Sequence, residues 1–308
     1  MDTNNTETTT AEVSANSAAR TLEAARPLEQ TTSSCATCGS EIPRGQGQGT
    51  AIGRNYIYAI GRIEARFPSI SVEKEFTQVL GRIDSKGKTD SETFYKVLSD
   101  PHNIYLVRQL CWVMNISGID TYIVAPRNPG DFGLLVESVR PTPDPGLLDA
   151  VIGTKGPMAG PQICNGLVLP VVFFDQMYSF DRESLLKSIP KPAEIDSNEF
   201  ANTAAEVLDR ILASTDNAGA SDRDRALNYL ALRDPGIYAR TANCFDRDLA
   251  LTGLEVRPWR LSVARRIVEV VFAFTHRKNE FAEKYSTRVD VNDEFPFLVS
   301  KMAVYLDH

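Results

Sequence analysis

Histidine is scarce in this sequence: among 308 residues only His102, His276 and the terminal His308 are available. A Ser-His-Asp triad needs an imidazole between nucleophile and carboxylate, and none of the three is well placed to serve. His102 stands beside Pro101 in the first turn of an expected helix, where a solvated residue is the ordinary outcome. His276 closes the apolar run "VVFAFTHRK" and reads as a loop residue, and His308 ends the chain. Other catalytic signatures are missing too. There is no Gly-x-Ser-x-Gly elbow, no P-loop and no His-Glu-x-x-His. The glycines of "GQGQGTAIG" precede a strand-like run instead of following one, which excludes a dinucleotide fingerprint.

An excess of positive charge is also lacking. Thirty-three Lys and Arg against 40 Asp and Glu leave a formal net charge of -7, which argues against a nucleic-acid partner, because phosphate binding draws on a basic face. No apolar run approaches the roughly 20 residues that span a bilayer. The start "MDTNNTETTTAEVSANSAAR" has neither the basic nor the apolar part of a signal peptide, so no membrane partner and a cytoplasmic location are expected. Five cysteines, at 35, 38, 111, 164 and 244, are odd in number and widely scattered. That is unlike a small secreted disulfide framework, and reduced thiols are expected.

What is present is enough apolar material for a real core, with 43% hydrophobic and 24% charged residues. Residues 1–50 are rich in Thr, Ser, Ala, Asn and Gly and are read as a disordered polar tail. Residues 51–190 read as a mixed α/β region. "NYIYAIGRIEARF" suits a strand, and "SVEKEFTQVLGRI" a helix capped by Ser71. "SDPHNIYLVRQLCWVMNI" reads as a helix begun by Asp100 and Pro101, "DTYIVAP" and "GLVLPVVFF" as strands, and "NPGDFGLLVESVR" as a helix between them. The prolines of "SIPKPAEIDSNEF" mark a boundary. Residues 191–308 then give helices first, on the stripes Phe200, Val207, Leu208, Ile211 and Leu227, Leu230, Ile237, with Pro235 interrupting. Four strand-length runs follow, "LTGLEVRPWRL", "RRIVEVVFAFTHR", "EKYSTRVDV" and "FPFLVSKMAVYL". Two helical segments followed by a four-stranded antiparallel sheet make the whole chain α+β.

Several of these segments, in order from about residue 52 to 308, carry a likeness: "NYIYAIGRIEARFPSISVEKEF", "YLVRQLCWVMNISGIDTYIVAPRNPGDFGLLVESVRPTP", "CNGLVLPVVFFDQMYSFDRESLLKSIPKP" and "NAGASDRDRALNYLALR". The chain resembles the C-terminal domain of unknown function of the cyanobactin maturation proteases, the PatA/PatG family. In that family the peptidase is a separate subtilisin-like domain, and this chain is read as standing without it. The resemblance therefore implies an accessory role in ribosomal peptide biosynthesis and does not imply proteolysis.

In "CATCG" the spacing of Cys35 and Cys38 lets both sulfurs face one ion, and Gly39 can turn backbone N–H groups toward them. That is half of a zinc site. Cys164 and Cys244 are the candidate completing ligands, and a second knuckle from a homodimer partner is another. An unliganded tail and, less suitably, a redox dithiol stay open. Cys111 reads as a small buried hydrophobe on a helix. Arg223, Arg225, Arg233, Arg240 and Arg247, with Arg257, Arg260, Arg265, Arg266 and Arg277, could hold an acidic peptide. Interleaved Asp222, Asp224, Asp234, Asp246 and Asp248 instead favour a mixed-charge face. Phe173, Phe174, Tyr178 and Phe180 could line a peptide groove, but core packing is the default. The expectation is thus a non-catalytic domain that binds a precursor peptide, a subtilisin-like protease or a peptide-modifying enzyme. The alternative is a peptide-modifying or peptide-processing enzyme with a site at Cys164, Asp175 or Asp181.

Overall fold

Apolar side chains on both faces of "YIYAI" bury the first strand from its start. The structure, a computed structural model, describes residues 55–82, 89–141, 147–191, 196–213, 216–259, 265–279 and 281–306. The tail expected over 1–50 lies outside them. Strand β1 (Tyr56–Arg66) pairs with β4 (Leu147–Met158) along Tyr56–Gly61 and with β2 (Cys111–Ile116) along Arg62–Arg66, both antiparallel. The change of partner centres on Gly61, where a Cβ would lie 2.4 Å from the Asn115 carbonyl oxygen, so no other residue fits without moving backbone. Strands β3 (Ile119–Pro126) and β5 (Pro170–Asp181) run parallel, and the order β1-β2-β3-β5-β4 closes into a barrel. Closure leaves these strands no exposed edge.

Helices α1 (Ile70–Leu80), α2 (Asp90–Ser99), α3 (Ile104–Gln109) and α4 (Phe132–Ser138) cover one apolar face of this barrel. Phe76, Val97, Leu106, Val107 and Leu135 pack with Trp112, Met114, Val124, Val172 and Phe174. Local chemistry fixes their starts. Ser69, two residues before the expected Ser71, accepts from Val72 N–H, and Thr89 and Glu92 form a reciprocal capping box. The helix expected to run through "LCWVMNI" stops at Gln109, where Leu110 turns extended, and Cys111–Ile116 is strand β2. Pairing with β1 and β3 decides the matter. Apolar runs bounded on both sides satisfy a buried strand as well as a helix, and only tertiary partners discriminate.

The second sheet follows the expected order. Helix α5 (Arg182–Ser188) leads to α6 (Ser197–Leu212), α7 (Asp222–Arg233) and α8 (Pro235–Asp246). Asp196, Ser221 and Asp234 cap the last three, and Pro235 opens α8 at the position where its missing N–H costs nothing. Strands β6 (Leu249–Pro258), β7 (Ile267–His276), β8 (Ala282–Asp290) and β9 (Phe297–Val304) form an antiparallel meander. Val207, Leu208, Leu227, Leu230 and Ile237 pack against Val270, Phe272, Phe274 and Val289 of its inner face. Among the described residues no helix is long and apolar enough to cross a membrane.

Helix α7 also lies on the barrel. Asn228 Nδ2 donates to the Tyr58 carbonyl at 2.8 Å and is paired with Asn217, while Tyr58 N–H donates to the Gly219 carbonyl at 2.9 Å. Gly219 has φ +73°, and a Cβ there would lie 2.3 Å from the same Tyr58 oxygen. The close approach and the left-handed backbone both demand glycine.

Candidate functional site

The cysteines settle one expectation against the sequence reading. Cys111 and Cys164 form a disulfide, their Cα atoms 5.5 Å apart, so these thiols are not reduced and Cys164 is not free to ligate a metal. Cys111 is buried, as expected, but on β2 within a small cluster with Val113, Ile123 and Ala159. Cys244 belongs to the other core. It is a free thiol pushed up by burial, and Arg247 lies 3.5 Å from its sulfur. A guanidinium at that distance opposes a cation. Cys35 and Cys38 lie outside the described residues.

The remaining sequence candidates are dispersed. His102, almost fully exposed, bonds Asp100; His276 accepts from Lys278 N–H; His308 is outside the described residues. Asp181 caps α5 through Ser184. The aromatic set alternates across β5: Phe174 is buried, Phe173 exposed, and Tyr178 lies under Arg233 with its hydroxyl on that of Tyr58 at 3.1 Å. They line no common groove. The arginines do not form a free basic face either. Arg247 pairs with Glu283, Arg257 with Glu255, Arg265 with Asp290 and Arg266 with Asp222, while Arg240 and Arg277 cover Tyr285 and Phe245. Arg260 is outside the described residues.

Asp175, named from the sequence, does sit in a constellation. On β5, Asp175 Oδ1 accepts from Arg127 Nε at 2.6 Å, and Arg127 also donates to Thr154 at 2.9 Å. The Arg127 hydrogen bond holds the Asp175 carboxyl below its usual range. Glu294, from the loop between β8 and β9, lies against the same carboxylate. Burial, and then its contact with Asp175, push Glu294 up to about 7. The loop is fastened by Arg225 of α7, whose guanidinium donates to the carbonyls of Val291, Asp293 and Glu294 and lies over the Tyr56 ring. Neither Glu294 nor Arg127 stands out in the sequence. They stand 119 and 48 residues from Asp175, and no local pattern links them.

The same loop delivers β9, an edge strand. Among the described residues β9 pairs only with β8, leaving its other side open. Leu298 and Met302 pack on the core, whereas Phe297, Val299, Lys301, Ala303 and Val304 are exposed. Leu298 N–H is taken by the Tyr229 hydroxyl at 3.1 Å, so the stretch a further strand could join runs from Val299 to Val304. A separate cleft of about 450 Å³ opens where β1 changes partner, lined among others by Arg62, Glu64, Asn115 and Asn217.

Known proteins fit this two-sheet arrangement. The PatG Domain family model matches residues 56–244, more than half of the chain, and the PatG C-terminal model matches 194–305. The chain belongs to the PatG domain family. A solved "PatG Domain of Unknown Function" superposes with a TM-score of 0.66 over 82% of this chain and 99% of its own, at 18% identity, a likeness of fold. No curated protein matches the chain.

In this PatG domain one further ionisable group is deeply buried. Asp149 of β4 stands opposite Gly61, and its oxygens accept from Ile63 N–H at 2.9 Å and from the Ser179 hydroxyl at 2.6 Å. The carboxyl thus ties the point where β1 leaves β4 to the neighbouring β5. Burial, only partly offset by those two donors, pushes it up to about 6 from 3.8. The folded state therefore holds a proton that the unfolded state releases. The stability this provides is complete below the ordinary value and is lost as pH rises through about 6. Asp149→Asn keeps an acceptor for Ile63 and offers an amide donor to Ser179. It should leave urea stability unchanged at pH 4 and raise it by about 2 kcal/mol at pH 8. Equal gains at both pH values would refute the buried-charge account.

Proposed function

We propose that the chain is a recognition domain of a cyanobactin-type ribosomal peptide pathway, without chemistry of its own, that holds a precursor peptide or the extended segment of a partner enzyme on the open edge of β9. The family relationship places the chain among PatG domains. The observation that carries the reading is the edge itself: about six residues, roughly 20 Å of strand, with main-chain groups on the open side and exposed Val299, Lys301 and Ala303 alternating with half-buried Ser300 and Met302. Strand addition suits a peptide whose sequence varies, because affinity comes from backbone hydrogen bonds and a few side-chain contacts. A long exposed apolar edge without a partner is otherwise a liability.

Calorimetric titration with a synthetic cyanobactin-type precursor peptide tests the reading. Saturable binding is expected, and Val299→Lys with Ala303→Lys should weaken it about tenfold while leaving the melting temperature unchanged, since both side chains are exposed. Equal affinity in the double variant would move the site off β9. A mass change in the incubated peptide would replace the reading with that of a peptide-modifying or peptide-processing enzyme.

A further inference from the structure

The contact between Asp175 and Glu294 joins two parts of the fold that share no strand pairing. Asp175 belongs to the barrel, and Glu294 to the loop that turns β8 into β9. Asp175 Oδ2 and Glu294 Oε1 are both buried, and neither has a conventional donor. Two carboxyl groups in contact need a proton between them: with it they share a short hydrogen bond, and without it two like charges are held together. We propose that Asp175 and Glu294 form a proton-shared latch that fastens the β8–β9 loop to strand β5 and releases it when the proton leaves.

The surroundings determine whether an ionised Glu294 could be compensated. Arg127 faces the pair from the segment after β3, but its guanidinium is already engaged by Asp175 Oδ1 and Thr154. From α7, Arg225 is engaged by the three loop carbonyls, with Asp222 at 3.8 Å from it. Arg266, ahead of β7, pairs with Asp222 and the Asn292 carbonyl. Tyr56 of β1 lies under Arg225, and Asp290 at the end of β8 pairs with Arg265. Among the described residues, the cations that face Glu294, Arg127 and Arg225, are thus already committed to Asp175, Thr154 and the loop carbonyls. Which carboxyl carries the proton also follows. Arg127 keeps Asp175 ionised, so Glu294 is the acid, and its position near neutrality puts release between pH 6 and 8.5. Arg225 stays charged throughout this window and continues to hold the loop's main chain. The latch thus loosens the loop and the start of β9 without unfolding the sheet.

Hydrogen exchange of residues 291–298 in the free, full-length chain tests this, with rates corrected for the intrinsic pH dependence of exchange. Protection in the natural sequence should fall about tenfold or more from pH 6 to 8.5, while the core strand β7 remains protected. Glu294→Gln supplies an amide donor to Asp175 at every pH, so its loop should stay protected across the range. Asp175→Asn removes the like-charge clash and should also abolish the pH dependence, whatever its effect on absolute protection. Unchanged protection in the natural sequence would overturn the latch, as would the same fall with pH in Glu294→Gln. The readout uses no peptide and is independent of whether β9 binds one.

Discussion

Arg225→Met should lower the stability of the chain by about 3–5 kcal/mol, measured as a shift in the urea midpoint at constant slope. The side chain is 2% exposed, and its guanidinium is held by no direct carboxylate bond. Its principal partners are the carbonyls of Val291, Asp293 and Glu294, with Asp222 only at 3.8 Å and the Tyr56 ring beneath. Burial pulls the group down to about 10, so it is still charged at neutral pH. Methionine matches much of the stem, and what it removes is the donor set. Buried carbonyls left without donors each cost about 1–3 kcal/mol, and the loop cannot turn all of them to water while β8 and β9 remain paired. Arg225→Lys separates charge from geometry. A lysine ammonium cannot span the three acceptors as the planar fork does, so it should recover less than half of the loss. A loss below about 1 kcal/mol in Arg225→Met would show that the loop is held by its own strand pairing.

The same arginine shows how far the sequence could be read. Among ten arginines considered as one basic set, nothing in the spacing distinguishes Arg225 from Arg223 or Arg233. Its burial follows from α7 being clamped between the barrel and the second sheet. The second sheet itself was legible because each strand run is bounded by turn residues and each helix by Asp, Ser or Pro caps. These are local signals that tertiary contacts then reinforce. The barrel was less so. Its β4, "LLDAVIGTKGPM", carries no strand signal strong enough to mark it, and β2 reads from the sequence as the end of a helix. Both are largely buried strands without clean polar alternation, and each pairs with the distant β1, across 45 to 53 residues for β2 and 88 to 98 for β4. Non-local pairing likewise hides the Asp175–Glu294 contact. It exists only once the β8–β9 loop is brought beside β5, although Asp175 itself, a charge inside an apolar run, was a visible anomaly.

The cysteines carry the other large expected effect. Cys111 and Cys164 are separated by 53 residues, and the chain between them includes β3, α4 and β4. Closing a loop of that length in the unfolded chain is worth about 4 kcal/mol in the chain-entropy account. Reductant should therefore lower the unfolding free energy of the natural sequence, read by urea denaturation, by that amount and leave Cys111→Ala with Cys164→Ala, already destabilised, unmoved. The loss should also be uneven. The bond ties β2 to the turn at 161–166, which packs on the barrel through only a few apolar groups, Leu167, Leu169 and Val171 with Ile123 and Val113. Exchange protection near 159–169 should fall first on reduction, while the cores around Trp112 and Phe272 hold. The bond also narrows the zinc question, since Cys35 and Cys38 must find completing ligands elsewhere, and Cys244 is buried beside a guanidinium. Two populations of cysteine follow. Alkylation under denaturing, non-reducing conditions should leave Cys111 and Cys164 unmodified and joined in one peptide pair, and alkylate Cys244. Full alkylation of all five cysteines without reductant would remove the disulfide and restore Cys164 as a candidate metal ligand.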